Sequence, residues 1–237
     1  MAWTVKSPIG AARSPTESSC FFDMNLHSDH SLRIVVDATD LKSGRAGECP
    51  LEQRDVPAPS RITLRAFEAG ETWSHDGSKL LEVLVVRGLL KLNGEDLGPA
   101  SYARLAPGVS TTFTAAEASM VYLNERTPTE PEKDSYALRG EDLDWRQGMV
   151  PGLKVTSLHQ GLTKHTALVR WAPETRFNPH THVGGEEILV LEGVFRDEHG
   201  SYPAGTWIRS PHMSNHRPFT GPEGATILVK VGHLDVA

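Results

Sequence analysis

Cysteine is nearly missing: Cys20 and Cys49 are the only two in 237 residues, and no C-x-x-C occurs. That excludes a disulfide framework and a cysteine-built zinc site, so both read as ordinary free thiols. Basic charge is also short. Lys and Arg number 24 against 30 Asp and Glu, for a net charge of -6 and a pI near 6.0, which leaves no general basic surface for a nucleic-acid backbone. No stretch approaches the roughly 18 apolar residues of a membrane span. The start, MAWTVKSPIGAARSP, has no continuous hydrophobic segment of signal-peptide type. The expectation is a soluble, cytoplasmic protein without nucleic-acid or membrane partners. Glycine patterns for phosphate, a G-x-S-x-G elbow and a Ser/His/Asp order are missing too, which removes the commonest nucleotide and hydrolase readings.

Helical periodicity is scarce, whereas short apolar runs recur between turn residues. Leu32 to Val36, Arg61 to Phe67, Leu80 to Val86, Leu89 to Leu92, Ser101 to Leu105 and Ser119 to Leu123 all have strand character. Such spacing argues for an all-β sandwich or barrel. The second half then repeats the first at an offset of 105 residues without gaps. Arg65 falls on Arg170, His75 on His180, Glu82 on Glu187, Gly88 on Gly193, Arg104 on Arg209, and Tyr102 on Trp207. A repeat of this length indicates two copies of one domain. The expected division is an arm over 1–20, a first copy over 21–125, a polar linker over 126–149 and a second copy over 150–237.

Histidine, by contrast, is plentiful at 11 residues, and the stretch FNPHTHVGGEEILVLEG concentrates it. His180 and His182 would share one face of a strand, Gly184 and Gly185 allow a sharp turn, and Glu186 opens an apolar run. His216 is a fourth candidate. Imidazole nitrogens and a carboxylate oxygen suit Zn²⁺, Fe²⁺, Mn²⁺ or Ni²⁺. An H-x-H pair alone is more often simply exposed, so the longer spacing decides the reading. The first copy has Gly77, Leu81 and Thr111 where the second has His182, Glu186 and His216. Only His75 survives there, and one imidazole does not hold a divalent ion. One metal ion per chain is therefore expected, in the second copy.

The series H-x-H-x3-E-x6-G, filled by His180, His182, Glu186 and Gly193, followed by G-x5-P-x4-H, filled by Gly205, Pro211 and His216, resembles the paired signatures of the cupin superfamily. HTHVGGEEILVLEG with FRDEHGSYPAGTWIRSP is more narrowly similar to the ChrR-like cupin family, named for the cupin domain of an anti-sigma factor. The resemblance implies two tandem jelly-roll barrels, zinc binding and a part in a transcriptional response to a small-molecule signal. The family's helical zinc domain, with its H-x3-C-x2-C motif, has no counterpart here, so sigma-factor inhibition is not carried over. Relatives of this cupin type also include Fe²⁺ dioxygenases that cleave small diketones or hydroxyaryl ketones, and a third reading is a non-catalytic structural cupin. Cupins also pair through sheet edges, so a homodimer is a further expectation.

Around the site, Trp171, Phe177, Phe195, Trp207 and Met213 are candidates for an apolar lining, with barrel core as the plainer alternative. Glu187 should point to the opposite face from Glu186. Arg209 and Arg104 occupy one place in both copies, one of which lacks a metal set, so an architectural ion pair is expected of each.

Overall fold

The computed structural model describes residues 26–43, 47–55, 59–128 and 132–234. The arm over 1–20, with Cys20, lies outside the described residues, and Cys49 is a free thiol. Among the described residues the chain is all-β apart from two short 3₁₀ turns, and no described helix is long and apolar enough to cross a membrane.

Two large sheets carry the architecture. The first runs in the order Tyr136–Leu138, Tyr102–Leu105, Leu80–Arg87, Ser119–Arg126, Ser60–Phe67, Gly47–Arg54. The second begins with Ile34–Asp37 and continues Thr206–Ser210, Glu186–Asp197, Phe219–Val231, His165–Trp171, Leu153–Gln160, Arg146–Gln147. The five strands that follow each leading strand correspond at the 105-residue offset, so the sequence repeat is a repeat of sheet order. Each large sheet faces a smaller one. In the first half this has four strands, and in the second it is a two-stranded ribbon of His180–His182 with Ser214–His216. The chain is thus two tandem jelly-roll barrels.

Strand alternation explains why the central strands are buried on both faces over most of their length. Val83, Val85, Val121 and Leu123 fill the first barrel, and Ile188, Val190, Ile208 and Ile227 fill the second. Leu84, Tyr102, Tyr122, Leu189, Trp207 and Leu228 point the other way and form one cluster between the two sheets. Strands buried on both faces have no solvent side on which to place polar residues.

The edges depart from the expected division. Ile34–Asp37, read as part of the first copy, pairs antiparallel with Thr206–Arg209 of the second, with Val35 opposite Ile208. Tyr136–Leu138, within the stretch read as a linker, pairs with Tyr102–Arg104 of the first. Each copy thus gives its leading strand to the other. The two buried arginines hold these exchanged segments. Arg209 donates to the carbonyls of His27 and Asp29 and pairs with Glu52, while Arg104 donates to the Asp134 carbonyl and pairs with Glu132.

Candidate metal centre

The ribbon places the histidines. His180 lies directly opposite His216 and His182 opposite Ser214, so three imidazoles share one face of two paired strands. The chain then turns through Gly184 and Gly185, both left-handed at φ 74° and 69°. A Cβ would come within 2.7 Å of Gly232 Cα at the first and 2.3 Å of Leu234 Cδ1 at the second. Only glycine fits this turn, and it delivers Glu186 into the barrel interior on the same strand face as Ile188 and Val190. Glu187 takes the opposite face, where it accepts from Tyr122 and Trp207.

The ligand atoms of His180, His182 and His216 lie within 4.8 Å of one another. Nε2 of His182 and Nε2 of His216 face each other at 3.0 Å. Glu186 adds Oε1 at 3.3 Å from His182 and Oε2 at 3.5 Å from His216. Donors held about 2.0–2.2 Å from one common ion stand at just such separations. His180 Nδ1–H donates to the Asn178 carbonyl at 2.9 Å, which leaves its Nε2 lone pair free for the centre.

Electrostatics favour the same conclusion. Burial pushes the Glu186 carboxyl up to about 7, with His216 only partly opposing it. Burial pulls the His182 ring down to about 3, helped by His216 and His180, and pulls His180 down as well. The centre therefore offers two neutral imidazoles, His180 and His182, and a buried acid short of positive charge. A divalent ion would supply that charge, and the donor set fits one.

His216 is steadied by residues that spacing did not reveal. Its Nδ1 lies 3.9 Å from Asp197 Oδ2, an ion-pair rather than hydrogen-bond distance. Asp197 in turn accepts from Tyr202 at 2.9 Å and from Arg33 at 3.1 Å, and Arg33 also donates to the Tyr202 hydroxyl at 2.8 Å. Burial alone would raise Asp197, but His216, the His199 amide, Tyr202 and Arg33 hold it down at about 2. Burial would likewise lower His216, yet Asp197 and Glu186 leave it raised. The one available signal was the position of Asp197 at the end of the strand that begins with Glu186; Arg33 gave none.

Of the expected apolar lining, Phe177 packs edge-on to His180 at 4.9 Å, Phe195 lies 6.4 Å from His216, and Trp171 touches both phenyl rings. Trp207 is in the cluster between the sheets instead, and Met213 is 57% exposed. In the first half, His75 stands opposite Thr111 in the register of His180 and His216. Its two ring nitrogens are turned to the Glu125 carboxylate and the Lys79 carbonyl. Both partners are acceptors, so no lone pair is aimed at an ion.

Residues 133–235 match the family described as the ChrR Cupin-like domain. Sequence comparison with curated proteins finds no match. Solved structures share the fold. The Cupin 2 conserved barrel domain protein of Leptotrichia buccalis is similar at TM-score 0.59 and 11% identity, over 84% of this chain and 96% of that one. The protein Ylba of E. coli gives 0.61 and 16%, over 88% and 94%. A salicylate 1,2-dioxygenase of Pseudaminobacter salicylatoxidans gives 0.61 and 13%, over 86% and 85%.

Proposed function

Residues 133–235 being a ChrR cupin-like domain, we propose that this chain is a metal-binding bicupin with a sensory or regulatory role, holding one divalent ion through His180, His182, Glu186 and His216. One observation carries the regulatory reading. Three of the four ligands sit on a ribbon that is hydrogen-bonded only as a pair of strands, whereas its counterpart in the first half belongs to a four-stranded sheet. Two strands alone are marginal in water. An ion would tie the ribbon to Glu186 on the large sheet, so its presence or absence changes how firmly the ribbon is held. Asn178 and Asp197 orient two of the rings, and Phe177, Trp171 and Phe195 keep water from that side.

A second reading is an Fe²⁺ dioxygenase acting on a small diketone or hydroxyaryl ketone. Its support is the aromatic wall against the His3Glu set, which would suit a dry pocket for a planar substrate. Bound iron would supply the electrons and the coordination positions for oxygen chemistry. The residues of this chain would fix ligand geometry and exclude water.

Metal analysis of protein purified without added metal, followed by oxygen uptake with β-diketones after anaerobic Fe²⁺ loading, separates the two. The regulatory reading expects bound metal and no uptake; substrate-dependent uptake would replace it with the enzyme.

A further inference from the structure

A cavity of about 560 Å³ lies where the two halves meet, and none of the four candidate metal ligands lines it. That volume falls within the roughly 300–1,000 Å³ of small-molecule sites. Asn124, on a central strand of the first large sheet, and His233, just past the last strand of the second, are both on its wall.

Each of these side chains carries a buried hydrogen-bond acceptor that lacks a donor. Asn124 is 3% exposed and donates its amide to Glu82 Oε2 at 3.0 Å. Glu82 also receives Tyr102 at 2.6 Å and Lys230 at 2.7 Å, so it serves only as an acceptor. The Asn124 amide therefore cannot be turned round, and its Oδ1 has no donor. His233 presents Nε2 to Glu187 Oε2 at 3.3 Å, off the alignment of a hydrogen bond. The other oxygen of Glu187 receives Tyr122 and Trp207. This carboxylate too only accepts, so the ring proton belongs on Nε2 and Nδ1 keeps its lone pair. That nitrogen is buried and has no donor either. Buried polar atoms in a folded protein are nearly always paired. Two unmet acceptors on one cavity call for a molecule that brings donors.

The two acceptors are near enough for one small molecule. Tyr122 and Asn124 share a face of one strand, about 7 Å apart, and Tyr122 reaches the same carboxylate that His233 faces. Hydroxyls suit the place better than an amine. An ammonium group would stand beside Lys230 Nζ, which shares Glu82 Oε2 with the Asn124 amide, and like charges at that range repel. We propose that this cavity is a binding site for a small polyol, which donates one hydroxyl to Asn124 Oδ1 and another to His233 Nδ1.

Calorimetric titration of the full chain with myo-inositol and erythritol, and with cyclohexanol and butan-1-ol, the mono-alcohols of the same carbon frames, tests the proposal. The tighter-binding polyol should exceed its mono-alcohol about tenfold, because one buried hydrogen bond is worth about that factor. Asn124→Leu and His233→Phe each remove one acceptor and should each weaken polyol binding about tenfold. His233→Asn, which puts an amide oxygen near the place of Nδ1, should restore it. A His182→Ala/His216→Ala protein should keep the affinity, which excludes chelation at the metal. Absence of binding would leave the cavity to water and overturn the proposal. Equal affinity for polyol and mono-alcohol, tighter binding of 2-aminocyclohexanol, indifference to both Asn124→Leu and His233→Phe, or loss in the double histidine variant would do the same.

Discussion

The Tyr122 hydroxyl, on the first sheet, donates to the Glu187 carboxylate, on the second, at 2.6 Å, and both side chains are buried. Trp207 adds a second donor to the same oxygen at 2.9 Å. The two barrels are thus joined by a buried acid as well as by apolar contact.

Acid should loosen this joint. Burial pushes Glu187 up, but His233, Lys230 and Trp207 outweigh it and hold the carboxyl at about 2. His233 is itself pulled down by burial, so near neutrality the Lys230 charge and the aromatic donors carry the effect. A folded value below the unfolded one stabilises above about 4.5, and the contribution is lost as pH falls toward 2. The amount is on the order of 3 kcal/mol. Urea unfolding from pH 6 to pH 2.5 should show the decline, and Tyr122→Phe should cost about 1–3 kcal/mol at neutral pH by leaving the acid short of a donor.

Metal content should be about one ion per chain, as the one histidine cluster among the described residues implies. His182→Ala and His216→Ala should abolish it, while His75→Ala should not change it. Chelation should speed amide exchange in residues 180–182 and 214–216 before any change in the first barrel, since the ion stabilises only the state that holds it. Elemental analysis and hydrogen exchange read both.

Affinity for the ion should fall as pH drops below about 7. From sequence, three imidazoles would compete equally for protons. The structure moves that competition to Glu186, held up at about 7, and to His216, also raised, because His182 and His180 are already pulled down. A raised value means the proton persists to higher pH and must be displaced by the ion. Competition with a coloured chelator from pH 8 to pH 5.5 should give a slope nearer two protons per ion than three.

Asp197→Asn should weaken metal binding about 10–100-fold through loss of the group that orients His216. Arg33→Ala should produce a smaller loss in the same direction, although it lies near the far end of the chain. A Zn²⁺ titration reads both, and an unchanged affinity in Asp197→Asn would remove the carboxylate from the site.

Arg209→Ala should cost about 3–5 kcal/mol, because Glu52 would remain as a buried charge without its partner. Arg209→Met combined with Glu52→Leu should recover most of that. Thermal melts compare the three.

Much of this was legible because β-structure writes its geometry into sequence at period two. His180 and His182 had to share a face, and Glu186 and Glu187 had to part. The offset carried the strand order from one barrel to the other. What stayed hidden depends on pairing between distant segments. Nothing in IVVD at 34–37 says which sheet it joins, since any β-branched run can complete any edge. Arg33 and Asp197 are 164 positions apart, and an ion pair leaves no periodic trace. Trp207 could be given only as a candidate for the lining because its strand, Thr206–Ser210, is buried on both faces, so hydrophobicity alone could not say which core it enters.

The exchange of leading strands bears on why a copy without metal ligands persists at all. A single copy standing alone could close its sheet only with the leading strand of a second molecule; otherwise the edge at Thr206–Ser210 would lie open to adventitious pairing. Duplication within one chain makes that partnership permanent. What the first barrel gives the second is structural: it supplies Ile34–Asp37, the Arg33 that steadies Asp197, and the Glu52 that receives Arg209. A gene fragment encoding the second barrel alone would therefore yield not a minimal metalloprotein but an unfinished one.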